Sequence, residues 1–88
     1  MTLRWHALAV RVRSEVTAAD ELRKRRVDVD EDVFFPVVVE RRAWSDRVKR
    51  VEVPLFPGYV FVRTALSAER RVQLLRVKHV VDVVGRIA

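Results

Sequence analysis

Apolar and polar positions alternate with period two over Trp5-His-Ala-Leu-Ala-Val-Arg-Val12, which predicts a strand. Leu8, Val10 and Val12 fall on one side of it, and Trp5, Ala7 and Ala9 on the other. After Ser14 the spacing becomes helical. Ser14 is placed as an N-cap, Glu15 suits the positive end of the dipole, and Val16, Ala19 and Leu22 share one stripe that continues to Arg26. This helix is expected to run to about Arg25, with the basic run Arg23 to Arg26 at the end where cations are favoured. Val33 to Arg42 reads as a long strand with Pro36 at an edge or a bulge, because proline lacks an N–H. Ala43-Trp-Ser-Asp46 reads as a hairpin tip, followed by a returning strand from Arg47 to Val53. There Val48, Val51 and Val53 break strict alternation and predict a bulge. Pro54-Leu-Phe-Pro-Gly58 is a turn in which Gly58 permits positive φ. Tyr59-Val-Phe-Val-Arg63 is the strongest strand pattern in the chain. Ser67 caps a second helix, about Ala68 to Arg76, with Val72 and Leu75 turned inward, and a last strand runs from Val80 to Val84, ended by Gly85.

Strand, helix, strand, strand, helix, strand is the order of an α+β, ferredoxin-like βαββαβ unit: a four-stranded antiparallel sheet with a protruding β-hairpin. Two helices cover one face of such a sheet. Leu8, Val10, Val60 and Val62 are the natural residues for the covered face. Tyr59 and Phe61 then lie on the other, with Trp5, Ala7 and Ala9 beside them. Small alanines next to large aromatics describe a concave floor. It suits a partner's helix or stacked bases; cover by a third element, and after that contact with a second copy of the chain, are the alternatives.

Length sharpens that point. A chain of 88 residues buries only about 60–65% of its unfolded surface, so apolar residues left on an open face mark a binding site. The net charge is +6, from 18 basic and 12 acidic residues. Of the basic residues 15 are Arg, and Val occurs 20 times, a composition that a GC-rich genome gives whatever the function. The charge is therefore compatible with nucleic acid nearby without requiring it. The hairpin tip is the densest patch: Arg41, Arg42, Arg47, Lys49 and Arg50 face Asp46 alone and make it locally +4. No cysteine is present, which excludes disulfides and cysteine-ligated zinc. No apolar run approaches the roughly 20 residues of a membrane span, and the N-terminus has no signal-peptide pattern, so a cytoplasmic protein with no membrane partner is expected.

Catalytic chemistry finds no support. His6 and His79 have no partner at metal spacing, and no nucleophile elbow, phosphate-binding glycine loop or zinc-protease motif occurs. Asp28-Val-Asp-Glu-Asp32 superficially resembles a calcium loop, but Val33 stands where the sharp turn needs Gly and Val39 where the bidentate Glu belongs. The reading is a protein that is not an enzyme, with no catalytic residues, no metal and no cofactor.

Pro54-Leu-Phe-Pro-Gly-Tyr-Val-Phe-Val-Arg63 resembles the N-terminal (NGN) domain of the NusG family of transcription elongation and antitermination factors. Trp5 opens the first strand where that family has a Trp-Tyr pair. Trp44-Ser-Asp-Arg47 precedes the proline-glycine run at the spacing of the specialised RfaH- and UpxY-like paralogues. Leu75 to Gly85 is similar to the family's closing segment, so the resemblance covers nearly all of residues 1–88. His6 stands where the family prefers Tyr, and Lys78-His79 where it has Pro-Gly.

The resemblance implies a partner, bacterial RNA polymerase, and a mechanism without chemistry. An apolar pocket would dock on the clamp helices of the largest catalytic subunit and so suppress pausing or termination. It carries the pocket onto Ala7, Ala9, Phe56, Tyr59 and Phe61, the gate-loop contact onto Arg70, Arg71 and Gln73, and contacts to the non-template DNA strand onto Arg11 and Lys78. It further implies a monomer. The family's last helix of this domain, its linker and its KOW β-barrel are expected to be absent from this chain. The alternative is a single-stranded RNA-binding module of the RNA-recognition-motif type. Gly58 to Arg63 also resembles that motif's aromatic strand, although Pro57 stands where a basic residue belongs and Val60 where a small one does. A third reading is a self-associating structural domain.

Overall fold

The computed structural model describes residues 2–27, 29–44 and 47–86, with the side chains of Trp44 and Arg86 excepted. The chain runs β1 (Arg4–Val10), α1 (Glu15–Lys24), β2 (Asp32–Phe34), β3 (Val37–Trp44), β4 (Arg47–Pro54), β5 (Tyr59–Thr64), α2 (Ala68–Leu75) and β6 (Val80–Arg86). Four strands form one antiparallel sheet in the order β2-β5-β1-β6, and β3 and β4 form a separate ribbon. This is the expected α+β, ferredoxin-like arrangement with its protruding hairpin.

The strand expected from Val33 to Arg42 is divided. Residues 32–34 pair with β5 in the main sheet, whereas 37–44 pair with β4. Pro36 sits at the break: it has no N–H to give either ladder, and its carbonyl accepts the Leu55 N–H at 2.9 Å, closing the base of the ribbon. The bulge expected in the returning strand is not formed. Register runs without a shift from Val37↔Pro54 to Trp44↔Arg47, because β4 leaves both of its faces largely in solvent and needs no strict alternation. Ser45 and Asp46 of the expected tip, and Asp28 of the acidic connection, lie outside the described residues.

One face of the four-stranded sheet packs on the helices. Its core is Leu8, Val10, Val60, Val62 and Val83 from the strands, Ala18, Ala19 and Leu22 from α1, and Leu74 and Val77 from α2 and its exit. Leu8 and Val60 are fully buried and face each other across β1 and β5. Five inward assignments are corrected. Val12 is exposed because β1 ends at Val10 and Arg13 turns the chain with φ 73°. Val16 is exposed because the buried stripe of α1 is 15, 18, 19 and 22, and Arg26 beyond it is exposed as well. In α2, Val72 and Leu75 face solvent while positions 70 and 74 face inward. In each helix the first inward position is charged, Glu15 in one and Arg70 in the other, so a stripe sought among apolar residues alone is misplaced.

Both charged residues are held by specific bonds. Glu15 Oε2 accepts the Gly58 N–H at 3.0 Å, which pins the 54–58 turn to the start of α1. Ser14 is the N-cap residue without a side-chain capping bond; Ser67 does cap α2, its Oγ accepting the Arg70 N–H at 3.0 Å. Arg70 lies in a buried polar cluster. Its Nη2 and Nε reach the two carboxylate oxygens of Glu31 at 2.9 and 3.2 Å, and Thr64 Oγ1 donates to the same carboxylate. The Arg25 carbonyl and the Gln73 side chain take further guanidinium donors at 3.4 and 3.0 Å.

Candidate functional site

The face of the sheet away from the helices carries the aromatic residues. Alternation along β1 sends His6, Leu8 and Val10 inward and leaves Trp5, Ala7 and Ala9 on this side, half-buried. In register beside them on β5, Ala9 faces Tyr59, Ala7 faces Phe61 and Trp5 faces Arg63. Phe61 in turn faces Phe34 of β2.

The rings form a continuous row. Trp5 meets Phe34 edge-on at 6.3 Å between centroids, Phe34 meets Phe61 at 6.3 Å, and Phe56 stands edge-on to Phe61 at 5.6 Å. Phe34, Phe56 and Tyr59 remain 53%, 48% and 42% exposed on this one face, and contiguous exposed apolar surface of this kind marks an interaction site. Phe56 enters from the turn, and its position follows from three bonds. Its carbonyl accepts the Tyr59 N–H at 3.2 Å, Gly58 N–H binds Glu15, and the Gly58 carbonyl accepts the Val10 N–H at 2.8 Å. Gly58 has φ 83°, the conformation expected of the turn. Beside the row, β1 offers only Ala7 and Ala9, which end at Cβ. The next strand places Gly85 opposite Ala7, with open space where a Cβ would stand. The row is thus an aromatic wall along a low floor.

Of the expected pocket residues, Ala7, Ala9, Phe56, Tyr59 and Phe61 lie on this one face. Phe34 joins them, a residue that the sequence pattern does not reveal because it places the Phe34 strand in the long hairpin arm. Trp5 also belongs to the wall, with the Arg63 guanidinium 6.0 Å from its ring centre and fixed by the Asp30 carbonyl at 3.0 and 2.6 Å.

The other expected contacts are distributed differently. Arg11 and Lys78 line one shallow depression with His79, Val80 and Val81, and the Arg11 N–H binds the His79 carbonyl at 3.0 Å. His79 adopts φ 73°, a left-handed conformation that suits glycine better than histidine. Arg70, Arg71 and Gln73 do not form one outward group. The Arg70 guanidinium is enclosed, Gln73 accepts from it, and Arg71 is exposed and reaches Asp82 at 3.6 Å.

A family model described as transcription termination factor nusG matches residues 3–88. The chain belongs to the NusG family. No curated protein matches it. NusG-family proteins are transcription factors of termination and antitermination that act with RNA polymerase and are not known as enzymes. Among the described residues no helix is long and apolar enough to cross a membrane.

Proposed function

We propose that this NusG-family chain is the polymerase-binding NGN domain of a specialised, RfaH/UpxY-like factor. It docks its aromatic wall and alanine floor on the clamp helices of bacterial RNA polymerase and suppresses pausing or termination. The observation that carries the reading is the row Trp5–Phe34–Phe61–Phe56, with Phe34 and Phe56 exposed, beside Ala7 and Ala9, in a chain whose family acts with polymerase. A pair of packed helices presents a ridge of side chains, and a low floor with one aromatic wall receives such a ridge while burying the rings. The domain works as a monomeric bridge in the cytoplasm, without cofactor or covalent chemistry.

In this reading Arg71 makes the gate-loop contact, with Arg70 and Gln73 fixing the start of α2 beneath it. Arg11 and Lys78, which line one depression, contact the phosphates of the displaced non-template strand.

The test is binding of the 88-residue domain to an isolated clamp-helix coiled coil. Tyr59→Ala and Phe61→Ala are each expected to weaken it by about 1–3 kcal/mol while circular dichroism stays unchanged. Unaltered binding by both folded variants rules the pocket out. Single-stranded RNA held through Tyr59, with no affinity for the coiled coil, would establish the RNA-binding alternative instead.

A further inference from the structure

The β3–β4 ribbon carries a pattern that the aromatic face does not explain. Its two strands pair only with each other, and among the described side chains all but Val51, Val53 and Pro54 are exposed. Arg41 stands directly opposite Arg50, and Arg42 directly opposite Lys49. Residues opposed across an antiparallel pair share a face, and adjacent pairs alternate between faces. One basic rung therefore projects from each side of the ribbon, and Arg47 shares the Arg42–Lys49 side. Like charges placed opposite each other destabilise a two-stranded ribbon, which has little else to hold it. Among the described residues one ion pair on the ribbon relieves this, Arg42 with Glu40 at 3.2 Å, half in solvent. Glu52, two positions from Arg50, shares the Arg41–Arg50 side, and counterions or an anionic ligand screen the charge that remains.

The geometry states what kind of ligand. An acidic protein surface or a single strand of nucleic acid lies against one face and leaves the other rung unused. Rungs on both faces call for a partner with negative charge on two sides, which is the groove of a duplex. A major groove about 12 Å wide admits a two-stranded ribbon, whereas the A-form RNA major groove is too narrow. Eight residues per strand give it a reach of about 27 Å. We propose that the β3–β4 hairpin is a second, independent binding surface that inserts into a groove of double-stranded DNA, Arg41 and Arg50 meeting one phosphate backbone and Arg42, Lys49 and Arg47 the other. The contact is not sequence-specific, since the rungs address phosphates. It does not rest on the polymerase reading.

The experiment is fluorescence anisotropy of a labelled DNA duplex of about 20 base pairs titrated with the whole 88-residue chain over a range of salt. Three double variants remove the same two charges: Arg41→Gln with Arg50→Gln, Arg42→Gln with Lys49→Gln, and, as a control away from the ribbon, Lys24→Gln with Arg26→Gln. Each ribbon variant is expected to lose at least about tenfold in affinity near ~50 mM salt and to lower the slope of log K against log salt by about 2. The control should change affinity by less than about twofold. Amide shifts on adding unlabelled duplex to the unmodified chain should concentrate in residues 41–44 and 47–50, a readout that needs no variant to fold. The proposal is overturned if the control loses as much as the ribbon variants, or if only one rung matters. It is equally overturned if single-stranded DNA or polyglutamate of equal charge competes as well as the duplex does.

Discussion

Arg70→Ala is the perturbation that separates a structural role from a contact role in α2. The Arg70 side chain is 9% exposed and that of Glu31 5%. The pair is bidentate, and the carboxylate also accepts from Thr64 Oγ1 and from the Val27 N–H at 3.0 Å. Truncation leaves a buried carboxylate facing a cavity, and breaking a buried pair from one side costs about 3–5 kcal/mol. A domain of this size is stable by roughly 4–13 kcal/mol, so the variant should forfeit a large part of that and open the 25–31 connection as well. Urea unfolding followed by circular dichroism measures it as a drop in midpoint at constant slope. Glu31→Gln combined with Arg70→Met removes both charges while retaining volume and the acceptor for Val27, and should recover at least half of the loss. An Arg70→Ala protein as stable as the original would refute the reasoning. So would a double variant no better than the single one. In either case Arg70 would be free to act outward.

Three further outcomes follow from other sites. His79→Gly should raise stability by about 1 kcal/mol, because glycine takes φ 73° without the steric cost of a Cβ; a lowered urea midpoint would contradict the turn geometry. Leu8→Ala, at a fully buried position at the centre of the sheet, should cost about 2–5 kcal/mol by the same measurement. Glu15→Ala should cost about 1–3 kcal/mol, because it leaves the half-buried Gly58 N–H unpaired. Since Gly58 sets the position of Phe56, it should also weaken clamp-helix binding although Glu15 itself is buried; binding at full strength would show that the turn holds its shape without this bond.

Alternation is enough to divide β1 and β5 into a covered and an open side. A period of two assigns faces whatever the strands pack against, so it groups Ala7, Ala9, Tyr59 and Phe61 by itself. Gly58 is equally legible, since the turn leaves few other conformations. The run from Pro54 to Arg63 is long and unusual enough to point to the NusG family.

What escapes the sequence depends on partners distant along the chain. Hydrophobicity shows Arg70 as a surface residue, and only the arrival of Glu31, 39 positions earlier, lets it fill the first inward place of α2. Glu15 is buried for the same kind of reason, through Gly58, 43 positions away. In both helices an apolar stripe therefore assigns Val16 and Val72 to the core, and the buried charges displace them from it. Phe34 joins the aromatic wall because Pro36 moves its strand from the hairpin to the sheet edge, where a three-residue ladder with β5 sets its direction. The opposition of Arg41 to Arg50 and of Arg42 to Lys49 likewise depends on the register of the ribbon. The sequence alone determines the period of each element, and hence which residues travel together. Only the tertiary structure decides which charged groups are enclosed, because a charge is buried where its hydrogen-bonding partner is, and no local pattern records that.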